Sequence, residues 1–327
     1  MMMKADIHNP WALIDKPTIG FNVIRVNPSH PHDFFWGMNI DGHYLLLFEI
    51  TKELAGSLEN KVVELKGVKI DVTYNATTSE YFFILCLQNK EDADIFYRLC
   101  LDLVDRTMEV IERNVALEVI NTRLKRWKAF LSGKKKHILS AQEVRGLYAE
   151  LEFIRGCLTM VDEQLPFLEG WLGPLDGPHD FVLGDFAVEV KSVTSSQKDR
   201  VRISSENQLI THLDNLFLHV IFLAEFHDCK KGRSLNQQVE IVRDAIRVPD
   251  HRDLFDSRLY ETGYMELKEY DIPCYSVTKN QTFRVMEGFP RIVSENLAEG
   301  VANVTYDLDL KFLEEYKCEF PLGEGDL

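Results

Sequence analysis

Apolar and polar residues alternate over much of residues 19–88, and this period of two is typical of half-buried β-strands. Turn signals separate the apolar runs, and Asp41-Gly42 in particular predicts a tight β-hairpin. The pattern therefore predicts a β-rich N-terminal region. Its strands are expected over residues 19–26, 34–38, 44–49, 62–65, 68–74 and 81–87.

Residues 89–132 carry apolar positions at helical spacing, with a break near Asn114. The spacing predicts either one long helix that connects two domains or two successive helices. A glycine followed by a run of lysines interrupts the pattern at 132–136, so this stretch is the predicted linker. The predicted domains are residues 1–133, β-rich with the long helix, and residues 134–327.

The next helix is predicted to begin at Ser140, because Ser140 and Glu143 have the spacing of a capping box. Apolar residues then recur three and four apart and form one stripe. Glu150 lies at the edge of that stripe. Its carboxylate either completes a site on a neighbouring sheet or reaches water over a packed stem. Glu152 lies on the opposite side and is expected to be solvated.

Residues 180–191 have the pattern of a strand, a tight turn at Leu183-Gly184-Asp185 and a second strand. Glu189 and Lys191 are two apart, so they leave the second strand on the same face. The hairpin can bring Asp180 across to Glu189. Two carboxylates beside a lysine predict a divalent-cation site with an amine that can hold a water. The simpler interpretation is a hairpin with a surface ion pair.

The remaining pattern extends this hairpin into a larger sheet. Ser205 is predicted to cap a helix that runs to about Asp214, with Gln208 near its start. Residues 217–226 are nearly all apolar, which is typical of a strand covered on both faces. Ser234 and Gln237 predict a second capping box. Further strands are expected at 274–278, 283–287 and 301–310.

Composition indicates a folded protein rather than a disordered one. The 327 residues are 45% apolar and 27% charged, and the formal net charge is −15. This charge argues against a protein that coats nucleic acid by itself. One basic tract, residues 123–136, contains seven Lys and Arg and no acidic residue. It is either the solvated C-terminal end of a helix or a surface that tracks phosphates, with Trp127 packed inward.

No apolar run is long enough to cross a bilayer, and the N-terminus lacks an apolar signal core. We therefore expect a cytoplasmic protein with no membrane contact. The six cysteines are scattered, which predicts buried free thiols rather than disulfides or zinc ligands. His30, His32 and Asp33 cluster in a Pro-rich loop, where a solvated loop is a simpler interpretation than a metal site.

The spacing of the hairpin residues, Asp180, eight residues and then Glu189-x-Lys191, resembles the PD-(D/E)XK nuclease superfamily. The chain departs from that motif at His179, which stands where Pro is usual. Residues 146–151, with Glu150, resemble the helical Gly-Glu-Leu signature of a bacterial branch found in phage-defence and restriction-type gene clusters. Ala149 stands where that branch often has Gly. Further matches at 202–209 and 288–291 extend the resemblance over roughly residues 140–310.

The resemblance implies an α/β (α+β) protein with a restriction-endonuclease-like α-β-β-α-β core. It implies that Asp180, Glu189, Glu150 and the Val190 carbonyl hold Mg²⁺, with Mn²⁺ as a substitute. Lys191 then orients the attacking water, because two adjacent carboxylates oppose the loss of its proton. Gln208 is either an accessory nucleic-acid contact or a plain surface residue.

The expected function is therefore that of a Mg²⁺-dependent endonuclease acting on DNA, with RNA left open as a substrate. Protein partners from a defence operon are expected, and double-strand cutting calls for a homodimer. Two alternatives remain at this point. One is a catalytically silent scaffold or recognition subunit with the same fold, and the other is an unrelated two-domain binding protein.

Overall fold

The computed structural model describes residues 9–58, 63–76, 78–132, 138–175, 177–194 and 199–321. The chain divides into two compact units, Met1–His137 and Ile138–Leu327. The predicted boundary and linker fall largely on residues 133–137, which lie outside the described residues. The exact domain limits therefore stay a prediction.

The N-terminal unit is built on a five-stranded antiparallel sheet of order β1-β2-β3-β5-β4. Burial alternates along the first half of the edge strand β4, whereas the central strands β3 and β5 each bury four consecutive residues and so are covered on both faces there. The predicted strand at 62–65 is not formed in its described part, where Leu65 makes only a single bridge to Val68. The strands are β1 (Phe21–Arg25), β2 (Phe34–Asn39), β3 (Tyr44–Ile50), β4 (Val68–Asn75) and β5 (Glu80–Leu87), with a short helix, α1 (Lys52–Ser57), after β3.

Two helices follow the sheet, α2 (Ala93–Arg106) and α3 (Arg113–Ser132). The prediction of a single long connecting helix is therefore wrong, and the alternative prediction of two successive helices is confirmed. Thr107 ends α2, because its hydroxyl donates back to the carbonyls of Leu103 and Val104 at 2.9 and 3.0 Å. Side-chain bonds of this kind compete with continuation of a helix.

A buried carboxylate joins α2 to α3. Asp102 accepts two hydrogen bonds from the Arg123 guanidinium, both 2.8 Å, and one from the Trp127 indole, also 2.8 Å. Trp127 packs inward, as predicted. Arg123 is buried in this bidentate pair, which removes it from any phosphate-tracking surface. Lys125 and Lys128 of the same tract are exposed.

The loop with His30 and His32 is not solvated. Both imidazoles are buried, and His30 Nε2 lies 3.0 Å from the Val104 carbonyl. The expectation of a solvated loop is therefore wrong for these two residues. Their contacts are those of core side chains.

The C-terminal unit is built on a second five-stranded sheet, of order β12-β10-β9-β7-β6. β7 and β9 are parallel, and the other pairs are antiparallel. β8 and β11 form a separate two-stranded sheet. The strands are β6 (Phe181–Leu183), β7 (Phe186–Thr194), β8 (Arg200–Ile203), β9 (Asn215–Phe226), β10 (Cys274–Arg284), β11 (Tyr306–Asp309) and β12 (Lys317–Cys318).

The described part of this unit contains four α-helices, and the first packs against β7. The capping boxes predicted at Ser140 and Ser234 are both confirmed, since each hydroxyl accepts from the third helical residue and each partner side chain reaches back. The helices are α4 (Ala141–Leu158), α5 (Gln164–Glu169), α6 (Leu235–Ala245) and α7 (Pro249–Glu261). Together with the sheets they confirm the predicted α+β class.

The helix predicted to begin at Ser205 is absent, and residues 204–214 form turns. Side chains there hydrogen-bond to nearby main-chain N–H groups. The Gln208 side-chain oxygen accepts from Ser204 N at 2.8 Å, and the Ser205 hydroxyl accepts from Asn207 N at 3.1 Å. Such local bonds offer the backbone an alternative to a helix. From residue 199 onward, the parallel crossover from β7 to β9 therefore runs through β8 and turns.

Two further expectations in this unit are wrong, one about the exposure of Glu152 and one about the cysteines. Glu152 is 5% exposed rather than solvated, because it pairs with Arg155 and Arg233 at 2.8 and 2.6 Å. Cys229 and Cys274 form a disulfide with their Cα atoms 5.2 Å apart, so free thiols are wrong for this pair. Four cysteines are free, as predicted: Cys86, Cys100, Cys157 and Cys318. Of the helices in the described ranges, none combines the length and apolar character that a bilayer span requires.

Candidate active site on the β-hairpin

The site begins with the hairpin made by β6 and β7. Its register leaves a two-residue turn, Gly184-Asp185, which confirms the predicted tight turn. Gly184 has a φ of +56°, a left-handed conformation that residues with a side chain rarely adopt. One further step of the same register places Asp180 opposite Glu189.

Asp180 is held at the start of β6 by hydrogen bonds on two sides. Its Oδ2 accepts from the main-chain N–H of Val190 at 2.7 Å. Its carbonyl accepts from the N–H groups of Leu172 and Gly173 at 2.8 and 3.0 Å. Both the backbone and one carboxylate oxygen of Asp180 are therefore fixed, and Oδ1 lies beside Gly173.

Glu189 and Lys191 share one face of β7, as the alternation predicts. Lys191 Nζ lies 2.6 Å from Glu189 Oε1, and the side chains are only 18% and 2% exposed. A surface ion pair would leave both groups in water, so the simpler interpretation of the Glu-x-Lys spacing is wrong. Burial of this kind requires that charged groups find partners inside the protein.

Glu150 reaches the site from α4. Its Oε2 accepts a 2.7 Å hydrogen bond from the indole N–H of Trp171. The position that a Cβ atom on Gly173 would take is 3.2 Å from Glu150 Oε2 and 3.1 Å from Asp180 Oδ1. The carboxylates of helix and hairpin thus converge on one small space, which we call the Gly173 cradle.

Burial and mutual charge alter the acid–base behaviour of this group. Burial raises the pKa of Asp180 to about 7, and the charge of Glu189 adds to this, while Lys191 and the Val190 N–H oppose it. Burial also raises the pKa of Glu189. For Lys191, burial lowers the pKa, but the carboxylates around it outweigh burial and bring the pKa above its ordinary value. Lys191 is therefore protonated at neutral pH.

The donor chemistry suits a hard divalent cation, because the site offers carboxylate oxygens and neither thiolate nor imidazole. Asp180 and Glu150 border the Gly173 cradle, and a cation there would offset the burial, and the smaller effect of the Glu189 charge, that raise the Asp180 pKa. Glu189 is engaged with Lys191 instead. Within the described ranges, no three or more His, Cys, Asp or Glu side chains are gathered closely enough to hold a metal ion. The full set of predicted metal ligands, including the Val190 carbonyl, stays a prediction.

Gln208 lies in a turn rather than at a helix start, and its side chain accepts from Ser204 N. The main chain of Gln208, and not its side chain, contacts His179. Hydrogen bonds with the main chains of Gln208 and Ile210 partly offset the burial that lowers the pKa of His179. His179, the residue that departs from the motif, thus links the turn to the hairpin. The predicted accessory role of the Gln208 side chain stays untested.

Sequence reasoning missed two residues of this neighbourhood, Trp171 and Gly173. Both lie in a connecting segment without hydrophobic periodicity, so neither could be found from a pattern. The signal that was present is a tryptophan followed closely by Gly-Pro, just before a charged hairpin. Trp residues need a partner for their N–H when buried, which marks such a position as one to inspect.

Comparison with known proteins gives one match. The model of a family described as "Putative PD-(D/E)XK family member, (DUF4420)" matches residues 7–311. No curated protein and no solved structure matches the chain. The match confirms the resemblance drawn from the hairpin and extends it beyond residues 140–310, over nearly all of the N-terminal unit as well.

Proposed function

We propose that this chain, which belongs to the PD-(D/E)XK-type family DUF4420, is a metal-dependent endonuclease that hydrolyses phosphodiester bonds of DNA. The observation that carries the proposal is the convergence of Asp180 and Glu150 on the Gly173 cradle, with Glu189 and Lys191 beside it. Four charged groups from a helix and a hairpin thus lie in one neighbourhood, with Glu189 and Lys191 largely removed from water and Asp180 and Glu150 half-buried.

Asp180, Glu189, Glu150 and the Val190 carbonyl are the residues that would hold Mg²⁺, or Mn²⁺ in its place. When bound, such an ion supplies charge stabilisation at the phosphate and lowers the pKa of water. Phosphodiester hydrolysis needs both, because negative charge grows on the phosphoryl oxygens as water attacks. Mg²⁺ usually keeps several waters and one or two carboxylates, so this ligand set is sufficient.

Lys191 acts in this proposal as a charged positioning group rather than as a base. Its pKa lies above the ordinary value, because Glu189, Asp180 and Glu150 together outweigh the effect of burial. An ammonium group can donate a hydrogen bond to the attacking water and offset charge on the phosphate. It cannot accept a proton, so the proton of the water leaves by another route.

DNA is proposed as the substrate because residues 180–191 resemble the PD-(D/E)XK nuclease superfamily. A defence complex is proposed as the setting because residues 146–151 resemble the defence-associated branch. A net charge of −15 opposes binding to a polyanion. Partner proteins that supply basic surface would overcome this. A homodimer would place two such sites on the two strands of a duplex.

A second candidate is a catalytically silent scaffold or recognition subunit with the same fold. Two observations favour it. One is the acidic charge of the chain, and the other is the ion pair with Lys191, which occupies the Glu189 carboxylate that was predicted to bind the metal ion. Against it, a silent site has no physical reason to keep one buried and two half-buried carboxylates together, since each costs desolvation energy.

Cleavage assays on plasmid DNA and on RNA, with Mg²⁺, Mn²⁺ or EDTA, test the proposal. Wild type should nick or cut in a metal-dependent manner, alone or with the proteins encoded beside it. Glu189→Ala should abolish the activity, and Lys191→Ala should lower it by roughly 10²- to 10³-fold. Asp185→Asn, an exposed change on the same hairpin, is the control for Asp180→Asn. Absence of metal-dependent cleavage under all these conditions would favour the scaffold.

A further inference from the structure

The segment 170–173, between α5 and the hairpin, is attached directly to the start of β6. Trp171 forms an antiparallel bridge with Phe181, and Val182 N donates to the Gly170 carbonyl at 2.9 Å. The N–H groups of residues 172 and 173 both donate to the Asp180 carbonyl. The segment thus extends the sheet beyond β6 and runs beside the acidic residue of the hairpin.

The Trp171 indole is fixed by its surroundings. It is fully buried and stacks at 14° to the Phe181 ring and at 28° to the Phe255 ring. Its one polar group donates to Glu150 Oε2 at 2.7 Å. Hydrogen bonds from a neutral donor to a carboxylate are short and strong, especially where water is excluded. The indole therefore holds the Glu150 carboxylate on the side of the hairpin.

Gly173 is explained by space and not by backbone conformation. Its φ lies outside the left-handed region that seven other glycines of the described chain adopt. A Cβ atom there would lie 3.1 Å from Asp180 Oδ1 and 3.2 Å from Glu150 Oε2. A methyl group would thus put apolar bulk between the two carboxylate oxygens, where a cation could otherwise bind.

We propose that Trp171 and Gly173 are positioning residues of a divalent-cation site between Asp180 and Glu150, the indole by holding one ligand and the glycine by leaving room for the ion. This inference rests on the proposed function, because it requires that the site binds a cation. It adds a third structural element to the helix and the hairpin. The segment before the hairpin then decides whether the acidic groups can share an ion.

The test uses the full chain and measures the Mn²⁺ concentration at which the thermal unfolding midpoint has risen by half of its maximal shift. Ca²⁺ serves as a second probe. Two variants are compared with wild type: Gly173→Ala, and Trp171→Phe, which keeps the ring and loses the donor. Gly146→Ala, on α4 with open space around it, is the glycine control. Trp11→Phe, which removes another buried indole hydrogen bond, is the tryptophan control.

We expect Gly173→Ala and Trp171→Phe to require about 10- to 100-fold more Mn²⁺, the usual effect of losing a group that orients a metal ligand. The two controls should keep the wild-type midpoint concentration. A merely structural role would lower the unfolding temperature without cation and leave this concentration unchanged. Circular dichroism establishes that each variant is folded, and Trp171→Phe decides the matter should Gly173→Ala not fold.

The outcomes separate this inference from the proposed function. A cation shift that is lost in Asp180→Asn but unchanged in both Gly173→Ala and Trp171→Phe overturns the inference and keeps the site. Absence of any cation shift and of any cleavage in wild type overturns both. Cleavage with an unchanged cation requirement in the two variants again leaves the nuclease standing and removes the roles of Trp171 and Gly173.

Discussion

The main-chain N–H of Val190 donates a 2.7 Å hydrogen bond to the Asp180 carboxylate. One carboxylate oxygen is thereby hydrogen-bonded within the hairpin, and the other lies beside Gly173 and Glu150. Asp180 thus serves the fold and the candidate site with the same side chain. This double role determines how changes at Asp180 should behave.

Cation binding should stabilise the wild-type protein. Asp180 and Glu150 border the Gly173 cradle, so a divalent ion bound there only by the folded state raises its stability, by about 2.7 kcal/mol at roughly 100 times the Kd. Thermal unfolding should shift upward with Mg²⁺ or Mn²⁺ but not with NaCl of equal ionic strength. Asp180→Asn should remove the shift, and Asp185→Asn should keep it. An equal shift in both variants would place the cation elsewhere.

Without a divalent cation, Asp180 should make stability fall as the pH rises. Burial raises its pKa to about 7, while an unfolded chain has the ordinary value of 3.8. The folded state therefore binds more protons than the unfolded state between these values, and its free energy of unfolding decreases across that window. Urea unfolding in EDTA from pH 4 to 7.5 measures this. Asp180→Asn should give a shallower decline, and an unchanged slope would contradict the shifted pKa.

Lys191 should contribute its charge and not a basic nitrogen. Its pKa lies above the ordinary value, so the rate of DNA cleavage should show no rise between pH 7 and 9 that depends on Lys191. Lys191→Ala should lower the rate by roughly 10²- to 10³-fold, as loss of a preorganised charge does. The same change should lower the unfolding temperature, because it leaves Glu189 buried without its ion-pair partner. Recovery of activity by added alkylamines only in their neutral form would instead indicate a base.

Glu150 and Glu152, two residues apart on α4, should respond in opposite ways. Glu152 is buried, but its partners Arg155 and Arg233 are 38% and 35% exposed and can return to water, so Glu152→Ala should cost about 1–3 kcal/mol in free energy of unfolding through the lost hydrogen bonds. Glu150→Gln should cost less stability and should weaken the response to Mn²⁺. Chemical denaturation and the Mn²⁺ titration, run on both variants, separate the two roles. Arg155→Ala, at the more exposed end of the pair, should be the milder change.

Predictions from local pattern succeeded where the physical cause was local. Both capping boxes, the turn at Gly184 and the shared face of Glu189 and Lys191 follow from spacing within a few residues. The helix expected at Ser205 failed for a local reason as well. Polar side chains there bond to the main chain, and the apolar spacing does not register that competition.

Contacts between segments that are far apart in the chain could not be predicted from the sequence pattern. Helical spacing places Glu152 away from the apolar stripe, yet Arg233 from a distant segment covers it. The disulfide between Cys229 and Cys274 joins a turn to a strand that are far apart in the chain, and scattered cysteines gave no sign of it. Trp171 lies in a segment without hydrophobic periodicity, so no sequence pattern indicated its contact with the hairpin.

By itself the sequence determined which charged groups the candidate site contains: a hairpin with Asp180, Glu189 and Lys191, and a helix with Glu150. It also gave a family resemblance that the match over residues 7–311 confirms. Only the tertiary structure decided how these groups share space. It paired Glu189 with Lys191, placed the Trp171 indole on Glu150 and left Gly173 facing two carboxylates. The reason is that period and capping depend on near neighbours along the chain, whereas charge burial depends on whichever segments pack together in the fold.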